Sequence, residues 1–198
     1  MPKLVINGQN RIVGEIAVQG AKNSVLPIIA ATILCKGESV IHNCPDLSDV
    51  NAAVKILEHL GAKVSRQDST VIVNCETISN FDIPDELMRE MRSSILFLGA
   101  VAARCGKAVL SSPGGCELGP RPIDLHLSSL EELGLTIDET SGKLNCNFKN
   151  GPIGADITLS FPSVGATENI IISAVTAKGI TRIHNAAREP EISDLTDF

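Results

Sequence analysis

Tryptophan and tyrosine are absent from this chain, and phenylalanine occurs only five times. A core without large aromatic rings has to be packed from Ile, Val, Leu and Ala, and 43% hydrophobic residues are enough to build one. Long apolar runs are missing too: the longest cover about a dozen residues, too few for a helix to span a bilayer. The N-terminal MPKLVINGQNRIVGEI has no apolar stretch of signal-peptide type. No block of basic residues occurs and the net charge is −6, which argues against nucleic acid as a partner. Anionic small molecules stay open, because a local Lys/Arg cluster overrides a modest overall charge. The six cysteines (35, 44, 75, 105, 116, 146) include no CxxC pair and no metal-ligand spacing. Free thiols in a cytoplasmic protein fit that pattern. A length of 198 residues suits one domain, or one and a fraction.

What is present is a repeat. NSVLPIIAATILCKGESVIHNCPDLSDV (23–50), SSILFLGAVAARCGKAVLSSPGGCELGPRPIDL (93–125) and TENIIISAVTAKGITRIHNAAREPEISDL (167–195) share one plan. Each has a polar start, an apolar run, a Gly, a short β-like run, a loop and an Asp at the next helix start. Gly37, Gly106 and Gly179 are spaced 69 and 73 residues apart. Such long periods indicate supersecondary units. The first helix of each unit, over about 24–35, 93–104 and 167–177, is apolar nearly all round and must be buried on every side. The second is amphipathic. One spans 48–60, with Ser48 as N-cap, Val50, Val54, Leu57 and Leu60 on one face, and Gly61 after it. The other spans 122–133, with Ile123, Leu127, Leu130 and Leu133 on one face and Gly134 after it. Strands are expected at 38–43, 62–66, 70–74, 107–111, 135–139 and 143–148. Three units with central helices leave their sheets outside, which sets the fold class as α/β with an inverted layering.

The loop SSPGGCELGPRPIDLH (111–126) is the place where the second unit departs from the first. From Ile41 to Asp49 there are 8 residues, and from Leu110 to Asp124 there are 14. An insertion in one copy of a repeat marks a binding face. Gly114 and Gly115 let the backbone pass close to a ligand. Cys116 follows them, and Arg121 and the next helix start lie within five residues. A neighbouring cation or helix N-terminus lowers a thiol pKa, which makes Cys116 the candidate nucleophile or acid. Pro122 suits the first helical position and Asp124 the positive end of the helix dipole. Lys22 and Asn23 precede the first buried helix, where an ammonium beside free N–H groups makes an anion site. A solvated Lys followed by an Asn cap is the plainer alternative. Arg92 holds the matching place in the second unit, and Ser163, Val164 and Gly165 in the third.

PGGCELGPRPIDLH resembles the cysteine loop of the enolpyruvyl transferase family, in its UDP-N-acetylglucosamine 1-carboxyvinyltransferase branch. GAKNSVLPIIAATIL (20–34), SVGATENIIISA (163–174) and NAAREPEISD (185–194) carry the same resemblance, which covers essentially the whole chain. It implies an inside-out α/β barrel of βαβαββ units around a three-fold pseudo-axis, with the third unit cut short at Phe198. It implies that the chain is incomplete and that a C-terminal domain is missing. Residues 1–21, with the strand-like RIVGEIAVQG, would be a leader pairing with that domain, and 22–198 the N-terminal domain. The implied reaction moves the enolpyruvyl group of phosphoenolpyruvate to the 3-hydroxyl of UDP-N-acetylglucosamine, the first committed step of peptidoglycan synthesis, with no metal or organic cofactor.

In the roles implied by the resemblance, Cys116 is the acid and can form a covalent adduct. Lys22 contacts phosphoenolpyruvate and Asn23 the sugar. Arg121 grips the phosphate, and Arg121, Pro122, Ile123, Asp124 and Leu125 line the uridine pocket. His126 borders that pocket or is a helical His on a polar face. Arg92, with Ser163, Val164 and Gly165, completes three anion-attracting helix starts around one axis. Phe161 and Pro162 stand where some relatives carry a Lys, so one contact to the nucleotide is in doubt. The chain alone is expected to be inactive. Two alternatives are a non-catalytic UDP-sugar-binding half-protein and the sister transferase acting on shikimate 3-phosphate.

Overall fold

The structure is a computed structural model that describes residues 3–9, 11–111, 123–140 and 142–198. Its elements follow the repeat. The first unit contains α1 (Lys22–Ala31), which continues as a 3-10 turn (Thr32–Leu34), then β1 (Glu38–Ile41), α2 (Ser48–Leu60), β2 (Lys63–Gln67) and β3 (Thr70–Asn74). The second contains β4 (Asp82–Ile83), α3 (Asp85–Glu90), a 3-10 turn (Arg92–Ile95) opening into α4 (Leu96–Cys105), β5 (Lys107–Ser111), α5 (Asp124–Glu132), β6 (Thr136–Thr140) and β7 (Lys143–Asn147). The third contains β8 (Asp156–Thr158), α6 (Val164–Ala174), β9 (Arg182–His184) and α7 (Pro190–Asp197).

The three helices that are apolar all round are the buried ones. α1, α4 and α6 pack against one another, and Ile29, Ala30, Leu98, Ala100, Val101 and Ile170 are fully enclosed. The helix stripe on α2 works as its spacing requires: Val50, Leu57 and Leu60 are buried, and Gly61 ends the helix at φ +105. Ser48 is not the cap expected of it. It is the first helical residue, and the extended residue before it is Leu47, which offers no side-chain acceptor. Cys35 and Cys105 stand at the ends of their helices and are half-buried, not enclosed within them.

The sheets lie outside this helical centre. One has the order β1-β3-β2, all antiparallel, and its inner face pairs Ser39 with Val73 and Ile41 with Val71. The second has the order β4-β5-β7-β6, and its inner face pairs Ala108 with Cys146 and Leu110 with Leu144. Alternate residues point to opposite faces of a strand, so these pairs turn the apolar side towards the helices. β4 runs parallel to β5, and β8 parallel to β9 in a two-stranded sheet. The second unit therefore has the order βαβαββ, with α3 as an extra turn.

Among the described residues the sheets are hydrogen-bonded only within units and form no closed barrel. The inverted layering is present, but not a continuous wall of strands, because strands of neighbouring units never pair. Residues 11–21 form no strand. Ile12 is 96% exposed and Leu4 88%, since no neighbour covers them.

Candidate active site

A cavity of about 590 Å³ opens where the central helices begin. Asn23, Leu26 and Pro27 of α1 line it, with Arg92 and Ser93 of the 3-10 turn before α4, Ile123 and His126 at the start of α5, and Ser163, Val164 and Gly165 at the start of α6. The first N–H groups of a helix have no partner within it and carry a partial positive charge. A cavity rimmed by several helix starts attracts anions. Pro27 adds to the polar groups here: it has no N–H, so the Asn23 carbonyl lacks its usual partner four residues on. At the α6 start the Ser163 hydroxyl oxygen accepts the Ala166 N–H at 3.3 Å, leaving its own proton free to donate.

Of the residues singled out in the sequence, the cavity brings together Asn23, Arg92, Ile123, Ser163, Val164 and Gly165. Lys22 does not line it; its ammonium lies 2.5 Å from the Asp49 carboxylate. Asp124 is exposed and Leu125 packs against the core. Cys116, Arg121 and Pro122, with the loop that carries them, lie outside the described residues. Phe161 and Pro162 also line the cavity, so an apolar ring and a proline occupy the rim before α6.

The structure adds residues that the repeat did not reveal. Glu168 lines the cavity from α6, one turn after Val164 and Gly165, and is only 4% exposed. Burial, then the charges of Glu191 and Glu189, push its carboxyl up to about 8. Glu191 also lines the cavity and accepts a hydrogen bond from the Asn23 amide at 3.4 Å. Next to it, the Ser24 hydroxyl donates to Asp194 at 2.5 Å, tying α1 to α7. One signal pointed to Glu168: it is an acid at the head of a run otherwise expected to be buried on every side. Such a group must meet something polar.

Asn169 stitches the helix starts together. Its Oδ1 accepts the Gly99 N–H at 3.0 Å, and its Nδ2 donates to the Ile95 carbonyl at 3.0 Å and to His126 Nδ1 at 3.1 Å. The backbone partners fix the amide orientation, so His126 Nδ1 is an acceptor and the ring proton sits on Nε2. Burial lowers the His126 pKa to about 4, which keeps the ring neutral. Its Nε2 edge faces Gly165, where a Cβ would lie 2.9 Å from Cε1, so only glycine allows the ring this close. Among the described residues no cluster of three His, Cys, Asp or Glu side chains could hold a metal, and no helix is long and apolar enough to cross a membrane.

Residues 6–198 match the family described as EPSP synthase (3-phosphoshikimate 1-carboxyvinyltransferase). A protein of Caldanaerobacter subterraneus subsp. tengcongensis, named UDP-N-acetylglucosamine 1-carboxyvinyltransferase 2, is 54% identical over 198 residues, covering 100% of this chain and 47% of that protein. One from Acinetobacter baylyi, named UDP-N-acetylglucosamine 1-carboxyvinyltransferase, is 46% identical with the same coverage. The chain thus spans about half the length of the curated relatives it matches. Among solved structures, the enolpyruvyl transferase NikO from Streptomyces tendae superposes with a TM-score of 0.84 at 21% identity, over 96% of this chain and 45% of that one, a likeness of fold.

Proposed function

The chain belongs to the family described as EPSP synthase (3-phosphoshikimate 1-carboxyvinyltransferase), and from that premise we propose that it is the N-terminal half of an enolpyruvyl transferase acting on UDP-N-acetylglucosamine. The observation that carries this reading is the convergence of helix starts on one cavity with Arg92, Asn23 and Ser163 on its rim. Such a site suits a nucleotide diphosphate-sugar together with a phosphate ester. The names of the relatives at 54% and 46% identity support the sugar nucleotide over shikimate 3-phosphate as acceptor.

In the proposed reaction the 3-hydroxyl of the sugar gives its proton to the general base as its oxygen bonds to C2 of phosphoenolpyruvate, while the C2=C3 double bond takes up a proton at C3. The tetrahedral adduct then loses a proton from the C3 methyl group and phosphate from C2, restoring the double bond in the product. Cys116 is the acid for the first step, and a thiol of moderately lowered pKa suits that role. Arg121 holds the phosphate in two places with its planar fork. Lys22 adds positive charge once it leaves Asp49. Arg121, Pro122, Ile123, Asp124 and Leu125 hold the uridine, and Ser163, Val164 and Gly165 the diphosphate. The remaining half supplies the opposite wall, including the general base, and covers the exposed apolar residues of the leader over 1–21. In this reading the protein works in the cytoplasm, in peptidoglycan synthesis, without a metal or organic cofactor.

The test is phosphate release from phosphoenolpyruvate by the protein in its full natural reading frame. Release that depends on UDP-N-acetylglucosamine supports the reading. Release that depends on shikimate 3-phosphate would transfer the protein to the sister reaction. Nucleotide-sugar binding without any release would leave a binding half-protein.

A further inference from the structure

The cavity lining carries both signs of charge: Arg92 and the α6 start attract anions, whereas Glu168 and Glu191 contribute two carboxyl groups. Glu168 is the unusual member. It is only 4% exposed, no hydrogen bond or ion pair to its carboxyl is seen among the described residues, and its oxygens are open to the cavity. Buried polar groups ordinarily have partners, and one that lines a cavity without any awaits a ligand or an ordered water.

We propose that the Glu168 carboxyl determines ligand specificity in this cavity by hydrogen-bonding an uncharged polar group of the ligand, a sugar hydroxyl or amide, while phosphate is held by Arg92 and the free N–H groups of the α6 start. This rests on the nucleotide-sugar reading above. A phosphate beside Glu168 would face repulsion from Glu189 and Glu191, which act on the same carboxyl. A hydroxyl or an amide meets no such penalty, because a carboxylic acid can both donate to it and accept from it.

Among the described residues no cation is paired with Glu168. α1 contributes Asn23, which donates to Glu191, and Lys22, which is held by Asp49. The turn before α4 contributes Arg92, which forms no ion pair with Glu168, and Arg104 of α4 is directed to the Cys75 carbonyl. α5 contributes the neutral His126, engaged by Asn169. α7 and the residue before it contribute Glu189, Glu191 and Asp194. Burial then favours the protonated acid at neutral pH.

The experiment is calorimetric titration of the full-reading-frame protein with UDP and with UDP-N-acetylglucosamine, in wild type, Glu168→Gln and Glu168→Met. Met fills a similar volume without polar atoms. Its affinity for the nucleotide sugar should fall about tenfold or more, since a site built to hydrogen-bond loses most when one partner is removed. Its affinity for UDP should stay within about twofold of wild type. Gln retains an uncharged hydrogen-bonding group and should bind both ligands nearly as wild type does. In wild type, affinity for the sugar nucleotide should weaken as pH rises from about 7 to about 9, and Gln should abolish that trend. Equal losses for both ligands, or none, with the Met variant would overturn the proposal even if wild type turns over normally. Should the Met variant not fold, a Gln variant with an unaltered pH trend overturns it instead. Wild type that binds no UDP-N-acetylglucosamine overturns the nucleotide-sugar reading and this inference together.

Discussion

Glu168 and His126 face the same cavity, and burial moves their pKa values in opposite directions. Desolvation penalises whichever form is charged, so the acid rises to about 8 and the base falls to about 4. The consequences for stability have opposite signs. A carboxyl raised from 4.5 contributes stability that is complete below that value and is lost as pH climbs towards about 8. An imidazole lowered from 6.5 contributes stability present above that value and lost as pH falls towards about 4. Glu168→Gln should therefore gain on wild type as pH rises from about 5 to about 9, by on the order of 2 kcal/mol or more. Urea denaturation at several pH values measures this, and a difference that does not change with pH would mean that the Glu168 carboxyl ionises without cost.

The thiols separate on the same principle. Burial pushes Cys146 up to about 12 and raises Cys44, Cys75 and Cys105. A thiol held protonated is a poor nucleophile. Cys116, five residues before Arg121 and eight before the first residue of α5, has the opposite environment in sequence. Limited alkylation near neutral pH with mass mapping should label Cys116 first, and an epoxide phosphonate of the fosfomycin type should modify the same residue in the full-length protein. Earlier labelling of Cys35 or Cys105, the two half-buried thiols, would remove Cys116 from its proposed role.

At the crossing of α4 and α6 the decisive position is Gly99. A Cβ there would collide with the Asn169 side chain and lie 3.0 Å from the Asn169 carbonyl oxygen and 2.5 Å from the Ser173 hydroxyl. Gly99→Ala ordinarily favours a helix by about 1 kcal/mol through propensity. Overpacking works against it and costs about 1–3 kcal/mol, and here the obstruction is partly backbone, which cannot rotate aside. The substitution should also break the hydrogen bond from Gly99 N–H to Asn169. A net destabilisation of about 1–3 kcal/mol in urea melts is the expected outcome; a more stable variant would show that the two helices separate freely.

These helices were also the most legible part of the sequence, because runs such as LFLGAVAA leave no face for water. The polar pin between them was not legible. Asn169 reads as one polar residue in an apolar run until the Gly99 N–H and Ile95 carbonyl are placed beside it. β4 and β8 escaped for a different reason: strands of two or three residues are too short to show an alternating pattern. Within the site, the repeat located helix starts well but not side-chain directions. Lys22 was placed at the right helix start, yet it points to Asp49.

β1 lies at the edge of its sheet, with a partner only on the β3 side among the described residues. Its counterparts differ: β5 has β4 running parallel on its outer side, and β9 has β8. By the logic of the repeat, a parallel strand belongs beside β1, and the leader's exposed apolar residues also await cover. An unpaired edge and exposed apolar side chains are both sites of association. Expressed by itself, this 198-residue chain should fold, because α1, α4 and α6 already enclose one another. It should also bind a hydrophobic dye and self-associate more than the full-reading-frame protein does. It should bind UDP-N-acetylglucosamine weakly through Asn23, Arg92 and the α6 start but release no phosphate from phosphoenolpyruvate. The physical reason is that positioned charges act strongly only in a dry, enclosed site, and in the proposed reading the groups that would enclose this cavity lie in the remaining half. Dye binding, light scattering, nucleotide-sugar titration and phosphate release on one sample decide the matter. Sustained turnover by this chain alone, near the rate of the full-length protein, would mean that the groups needed for chemistry all lie within these residues.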